Sequence, residues 1–152
     1  TAVRPRGAAE VPGAWRAKQL VASPARRLSV ICVEDNPYGR VILNTILAEL
    51  GHRADFVGSG EEALAALSRS YDVVLMDVTL PGIGGFDAAR RIRALSGAAG
   101  TTPIIGISGR SDSDDEAAAR AARMNCYLRK PSSPSALSEA LAAITVHVSQ
   151  HG

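Results

Sequence analysis

VVLMDVTLPGIGG, residues 73–85, sets four apolar residues in a row directly before a carboxylate, Asp77. Val73 to Met76 leave no polar face, so the run suits a strand covered on both sides, as parallel strands are. Pro81, Gly82, Gly84 and Gly85 then interrupt any regular element. A charge closing a buried strand belongs where the strand leaves the core. In parallel sheets that C-terminal edge is where ligands sit.

The same rhythm runs through most of the chain. LSVICV (28–33) is an apolar run ending at Glu34 and Asp35. Asn36-Pro37 then predicts a helix start, with an asparagine cap and proline in the first turn. Leu43, Ile46, Leu47 and Leu50 follow at helical spacing, and Gly51 stops that helix. RADFVG (53–58) predicts a second strand, and Ser59 with Glu62 forms a capping box for a helix using Ala63, Leu64 and Leu67. After the opening stretch, Ala88, Ile92 and Leu95 share one helical face. TPIIGIS (102–108) predicts a fourth strand. Ser111 opens a helix whose first turn holds Asp112, Asp114, Asp115 and Glu116, acids that suit the positive end of the helix dipole. NCYLRK (125–130) predicts a fifth strand. Pro131 to Pro134 break the chain before a last helix with Leu137, Leu141, Ile144 and Val148. Strands alternating with helices predict an α/β domain, a doubly wound parallel sheet with helices on both faces.

At 152 residues, 46% hydrophobic and 21% charged, the chain is expected to be globular. No apolar run approaches the length of a membrane span, and no secretory signal is visible, so a cytoplasmic location is expected. Cys32 and Cys126 make neither a metal spacing nor a disulfide framework. Residues 1–27 carry six basic residues against Glu10 alone, a net +5 that leaves −3 for the rest. That basic segment is rich in Pro, Gly and Ala with one aromatic, Trp15, and reads as a linker rather than a nucleic-acid or membrane contact. A start at Thr1 instead of Met is expected of a piece of a longer chain.

Polar residues gather at the predicted C-terminal strand ends: Glu34 and Asp35, Asp77, Ser108 and Lys130. Singly, each has a plain explanation as a turn, cap or surface residue. Tyr127 alone is more often core than switch. Their coincidence at one edge favours a joint role. Converging carboxylates repel unless a cation compensates, and an oxygen-only donor set suits Mg2+. A carboxylate, a hard cation, an ammonium and a hydroxyl at one point are what an aspartyl-phosphate site needs. Asp77 would attack phosphorus, Mg2+ and Lys130 would neutralise the phosphoryl oxygens, and Ser108 would bond one of them.

These residues resemble a known family. VEDN at the first strand end, LMDVTLPGIGG, IIGIS and YLRKP, in that order over some four-fifths of the chain, are similar to receiver domains of two-component response regulators. The resemblance implies a five-stranded sheet in the flavodoxin-like order 2-1-3-4-5, one of the two common doubly wound arrangements. It implies Asp77 as acceptor of phosphoryl from a phosphohistidine. It further implies Mg2+ or Mn2+ held by Glu34, Asp35, Asp77 and the Thr79 backbone carbonyl, with Lys130 on the phosphoryl group. Ser108 and Tyr127 are implied as the switch pair, Tyr127 swinging inward. The expected domains are a linker at 1–27, a receiver at 28–148 and a tail at 149–152. EDNPYGR with a long first helix looks most like receivers attached to hybrid sensor histidine kinases. The expected partners are a histidine kinase or histidine phosphotransfer protein, and no enzymatic turnover, nucleic acid or membrane contact is expected of the chain itself.

The sequence departs from the family pattern at Ser108 for threonine, Gly109 for alanine, Arg123 for glycine and Cys126 for Asp or Ala. A stand-alone regulator is the nearest alternative. A phosphatase of haloacid-dehalogenase type also uses an aspartyl phosphate, but its DxD motif would have Thr79 for the second acid and would sit on a first strand. A nucleotide-binding flavodoxin-like module would meet Glu34 and Asp35 where it needs a phosphate cradle. With only SQHG after the last helix, no DNA-binding part is expected in this chain.

Overall fold

The computed structural model describes residues 27–80, 82–109, 113–130 and 133–151. The expected linker up to residue 26 with Trp15, the loop proline Pro81, the cap Ser111 with Asp112, and Pro131 lie outside the described residues. So does the Val148 side chain.

Five strands, β1 (Ser29–Val33), β2 (Arg53–Val57), β3 (Val73–Asp77), β4 (Ile104–Ser108) and β5 (Cys126–Arg129), form one parallel sheet in the order β2-β1-β3-β4-β5. The expected order holds. The helices are α1 (Pro37–Glu49), α2 (Gly60–Ala66), α3 (Gly84–Arg93), α4 (Ser113–Ala121) and α5 (Pro134–His151). The last of these runs on past Val148, through residues expected as tail.

The alternation of side chains along each strand sorts the core into two layers. Val30 and Cys32, Val73 and Leu75, Ile105 and Ile107 pack against Leu43, Ile46 and Leu47 of α1 and Leu137, Ala140, Leu141 and Ile144 of α5. Ile31 and Val33, Val74 and Met76, and Ile104 pack on the opposite face with Ala63 of α2 and Ala88, Ala89 and Ile92 of α3. Each large aliphatic side chain buried this way contributes about 1.5–3 kcal/mol. All five residues of β3 are buried, which is why VVLM lacks a polar face. Cys32 and Cys126 are free thiols, and burial, with Asp55 and Glu34 nearby, pushes the Cys32 thiol far up and leaves it inert.

Among the described residues the local signals hold with two adjustments. Gly84 and Gly85, expected to interrupt any regular element, open α3 instead. The Asn36 side chain caps α1, accepting from the amides of Tyr38 and Gly39. Ser59 caps α2 by accepting from the Glu62 amide at 3.1 Å. Glu62 reaches back one residue further than a capping box requires and accepts from the Gly58 amide at 2.7 Å. A 3-10 turn at Gly97–Thr101, which no periodicity marked, follows α3. Arg93 binds that turn to the sheet: its guanidinium donates to the carbonyls of Gly100, Thr102 and Arg123 and to Asn125 Oδ1.

Arg123, where the family pattern favours glycine, has φ 62°, the left-handed region that costs a residue with a Cβ about 1 kcal/mol. Arg93 bonds only its main-chain oxygen there, so that bond survives substitution. Arg123→Gly is therefore expected to stabilise the domain by about 0.5–1 kcal/mol, read as a raised midpoint in thermal melts.

Candidate functional site

Register decides what meets at the C-terminal edge. Val33 pairs with Met76, so Glu34 and Asp77 emerge side by side from β1 and β3. Each continues the parity of the strand residues facing α1 and α5, as does Lys130 beyond Cys126 and Leu128 of β5. Three side chains from distant parts of the chain thus emerge on one side of the sheet.

They bond directly. Lys130 Nζ donates to Glu34 Oε1 and to Asp77 Oδ2, both at 2.9 Å. Asp77 Oδ1 accepts from the Thr79 amide and the Thr79 hydroxyl, both at 2.9 Å. Glu34 is 1% and Asp77 4% exposed, so these bonds are made largely out of water. Glu34 Oε2 accepts from the Asn36 amide at 3.1 Å, and Arg40 Nε donates to the Glu34 carbonyl at 2.7 Å. Burial alone would raise Asp77, but the Thr79 amide, Lys130 and the Thr79 hydroxyl together hold its carboxyl below the usual aspartate range. Partial burial alone would lower Lys130, but its bonds to Glu34 and Asp77 outweigh that and hold the ammonium above the usual lysine range.

These directions fix a pH dependence. A depressed carboxyl adds stability above its unfolded value, near pH 4, and loses it as pH falls through the folded value. A raised ammonium adds stability below its unfolded value, near pH 10, and loses it as pH rises further. The stability of the unmutated chain relative to Asp77→Asn is expected to be level from about pH 5 to about pH 9 and to decline on acidification below about pH 4, in melts across pH.

Asp35, exposed, completes an acidic group. Glu34, Asp35 and Asp77 each offer a carboxylate oxygen, all within 4.8 Å of one another. Three carboxylates against one ammonium leave two formal negative charges, which a divalent cation with oxygen preference would balance. The donor set fits Mg2+.

Two glycines make room for this arrangement, and sequence reasoning missed both. A Cβ on Gly39 would lie 2.8 Å from the Glu34 carboxyl carbon. A Cβ on Gly85 would lie 2.5 Å from the Asp77 carbonyl oxygen and from Val78 Cα, where α3 comes down on the loop and the Gly85 amide bonds the Val78 carbonyl. Because backbone cannot step aside as a side chain does, Gly85→Ala is expected to destabilise the domain by about 2–3 kcal/mol in denaturant unfolding. The signal in the sequence was slight: Gly39 falls inside a helical pattern, where glycine costs stability unless space demands it, and Gly85 reads as a loop residue.

The remaining candidates are placed as follows. Ser108 ends β4, fully buried, on the alternate parity, and its carbonyl accepts from the Lys130 amide at 2.6 Å. Tyr127 lies against Gly106, its neighbour in the β4–β5 register. The Tyr127 hydroxyl is already buried and has no hydrogen-bond partner among the described residues. Thr79 stands where a DxD phosphatase would need its second acid, and Asp77 ends the third strand, not the first.

Known proteins resemble this chain in sequence and in fold. Residues 30–142 match the response regulator receiver domain family. Virulence sensor protein BvgS of Bordetella bronchiseptica is 34% identical over 141 residues, covering 90% of this chain and 11% of BvgS. Sensor histidine kinase GacS of Pseudomonas protegens is 31% identical over 140 residues, covering 90% of this chain and 14% of GacS. The receiver domain of sensor histidine kinase PA1611 from Pseudomonas aeruginosa PAO1, with a magnesium ion coordinated in its active-site cleft, superposes with TM-score 0.68. It is 34% identical and covers 75% of this chain and 93% of that one. The chain belongs to the response regulator receiver family and is a signalling domain of two-component systems. Receiver domains interact with histidine kinases or phosphotransfer proteins. This chain spans about a tenth to a seventh of the length of these two sensor proteins. Among the described residues no helix is long and apolar enough to cross a membrane.

Proposed function

We propose that the chain takes a phosphoryl group from a partner's phosphohistidine onto Asp77, as the receiver portion of a hybrid sensor histidine kinase. The observation that carries this reading is the Lys130 ammonium, bonded at 2.9 Å to both Glu34 and Asp77 beside a third carboxylate. One Asp77 oxygen attacks phosphorus while the P–N bond breaks, and the electron pair leaves on the partner's imidazole. Lys130 follows the charge as it moves onto the phosphoryl oxygens, and the Ser108 hydroxyl donates to one of them. Glu34, Asp35, Asp77 and the Thr79 carbonyl would hold Mg2+ or Mn2+, which supplies positive charge to the same oxygens when bound. Phosphorylation adds nearly two negative charges, drawing Ser108 and Tyr127 into a new arrangement that the partner reads.

Tyr38, Val41 and Ile42 of α1 are large apolar side chains left at 81%, 64% and 53% exposure. Beside them a groove lined by Ile42, Leu43, Ile46 and Ile107 opens at Glu34 and Lys130. An apolar face there suits the partner carrying the phosphohistidine. In this reading the domain begins at Leu28, residues 1–27 link it to the rest of a kinase, the site faces the cytoplasm, and the chain turns over no substrate of its own.

The test is incubation with Mg2+ and a small phosphodonor, followed by intact-mass and peptide analysis. One phosphoryl group on the peptide containing Asp77, absent when a chelator is present, is the expected result. No adduct, or an adduct elsewhere, would overturn the assignment. Transfer from a phosphorylated histidine phosphotransfer protein then separates a relay role from simple reaction with small donors.

A further inference from the structure

The chain enters the receiver body at Leu28, and the bonds holding that point are unequal in kind. The Leu28 amide donates to His52 Nδ1 at 3.1 Å, and its carbonyl accepts from the Arg53 amide at 2.9 Å. One residue on, the Ser29 amide donates to Asp72 Oδ2 at 2.7 Å and its carbonyl accepts from the Asp72 amide at 2.8 Å. His52 is itself anchored, its amide donating to the Leu47 carbonyl at the end of α1. Only the first of these bonds uses an acceptor that turns into a donor close to neutral pH.

We propose that the Leu28–His52 bond is a proton-operated latch at the first residue of the receiver body, closed while the imidazole is neutral and opened when Nδ1 gains a proton. A protonated Nδ1 would set its N–H against the Leu28 N–H, donor against donor, so that bond cannot persist. Opening stops at Leu28, because Ser29 is held by Asp72 and β1 remains paired on both sides. The charged group bearing on His52 is Asp72, which favours the imidazolium. The nearby Arg27, Glu49 and Arg53 are exposed. Burial outweighs Asp72 and lowers the histidine below its usual value, so the latch is shut near neutrality and yields in mild acid. The device is separate from the acceptor site, at the opposite edge of the sheet.

Amide hydrogen exchange of the whole chain, followed by NMR from about pH 8 to about pH 5 alongside the His52 ring protons, tests this. Expressed as protection factors, the Leu28 amide is expected to lose about fivefold, the worth of one neutral hydrogen bond, in step with His52 titration. The Ser29 and Arg53 amides should hold steady. His52→Asn, which keeps an acceptor but cannot titrate, should leave Leu28 protected throughout. His52→Ala should leave it unprotected throughout. Constant Leu28 protection in the unmutated chain, or a pH dependence surviving in His52→Asn, overturns the latch. The unmutated titration decides the matter even where His52→Ala fails to fold.

Discussion

Asp77→Asn is expected to abolish the phosphoryl adduct while leaving the domain folded. The amide oxygen carries no full charge with which to attack phosphorus, so no residual slow reaction at this position is anticipated. The substitution is nearly isosteric, but its hydrogen bonding differs in a specific way. Both Asp77 oxygens only accept, Oδ1 from Thr79 and Oδ2 from Lys130. Asparagine has one acceptor and one donor, so in either orientation one contact sets donor against donor. Losing that bond costs about 1–2 kcal/mol, and one fewer charge among three carboxylates offsets part of it. The measurements are intact mass after exposure to phosphodonor and Mg2+, and a melt. An adduct of undiminished yield in the variant would mean that another residue is the acceptor.

Lys130→Ala should slow adduct formation by about 100- to 1000-fold, the cost of removing one charged donor aimed at a developing charge. It should also weaken the fold, because Glu34 and Asp77 would face each other without the ammonium between them. Lys130 is about one-third exposed, so the loss lies between that of an open and a buried ion pair, about 1–3 kcal/mol. Millimolar Mg2+ supplies the missing charge, so the melting deficit should shrink on adding Mg2+ and return with a chelator. The rate deficit should persist, since the metal does not replace the Lys130 contact to phosphorus-bound oxygen. Equal stability in chelator and in Mg2+ would sink this account.

Much of this was legible because the sequence states its core plainly. VVLM has no polar face, so β3 had to be central, and Asn36-Pro37 and Ser59 mark helix starts in side chains that bond as expected. The order of motifs gathered Glu34, Asp35, Asp77 and Lys130 at one sheet edge before any distance was known. What stayed hidden depends on separation in space. Arg93, in the last turn of a helix, reads as a solvated cation suited to the dipole, yet it ties its helix to two other chain segments through four bonds. SGAAGTT has no apolar period to announce its 3-10 turn. Gly39 looks like a flaw in a helix and Gly85 like an ordinary loop residue until the nearness of Glu34 and of the Asp77 backbone explains them. Parity was readable and went unused: 34, 77 and 130 continue the alternation that faces α1 and α5, while 108 does not.

The Lys130–Glu34 bond joins residues 96 positions apart. A polypeptide still leaving the ribosome, or clipped before its fifth strand, possesses all three clustered acids but lacks their counter-charge. On the proposed reading, full competence to carry a message therefore arrives with the final piece of the sheet.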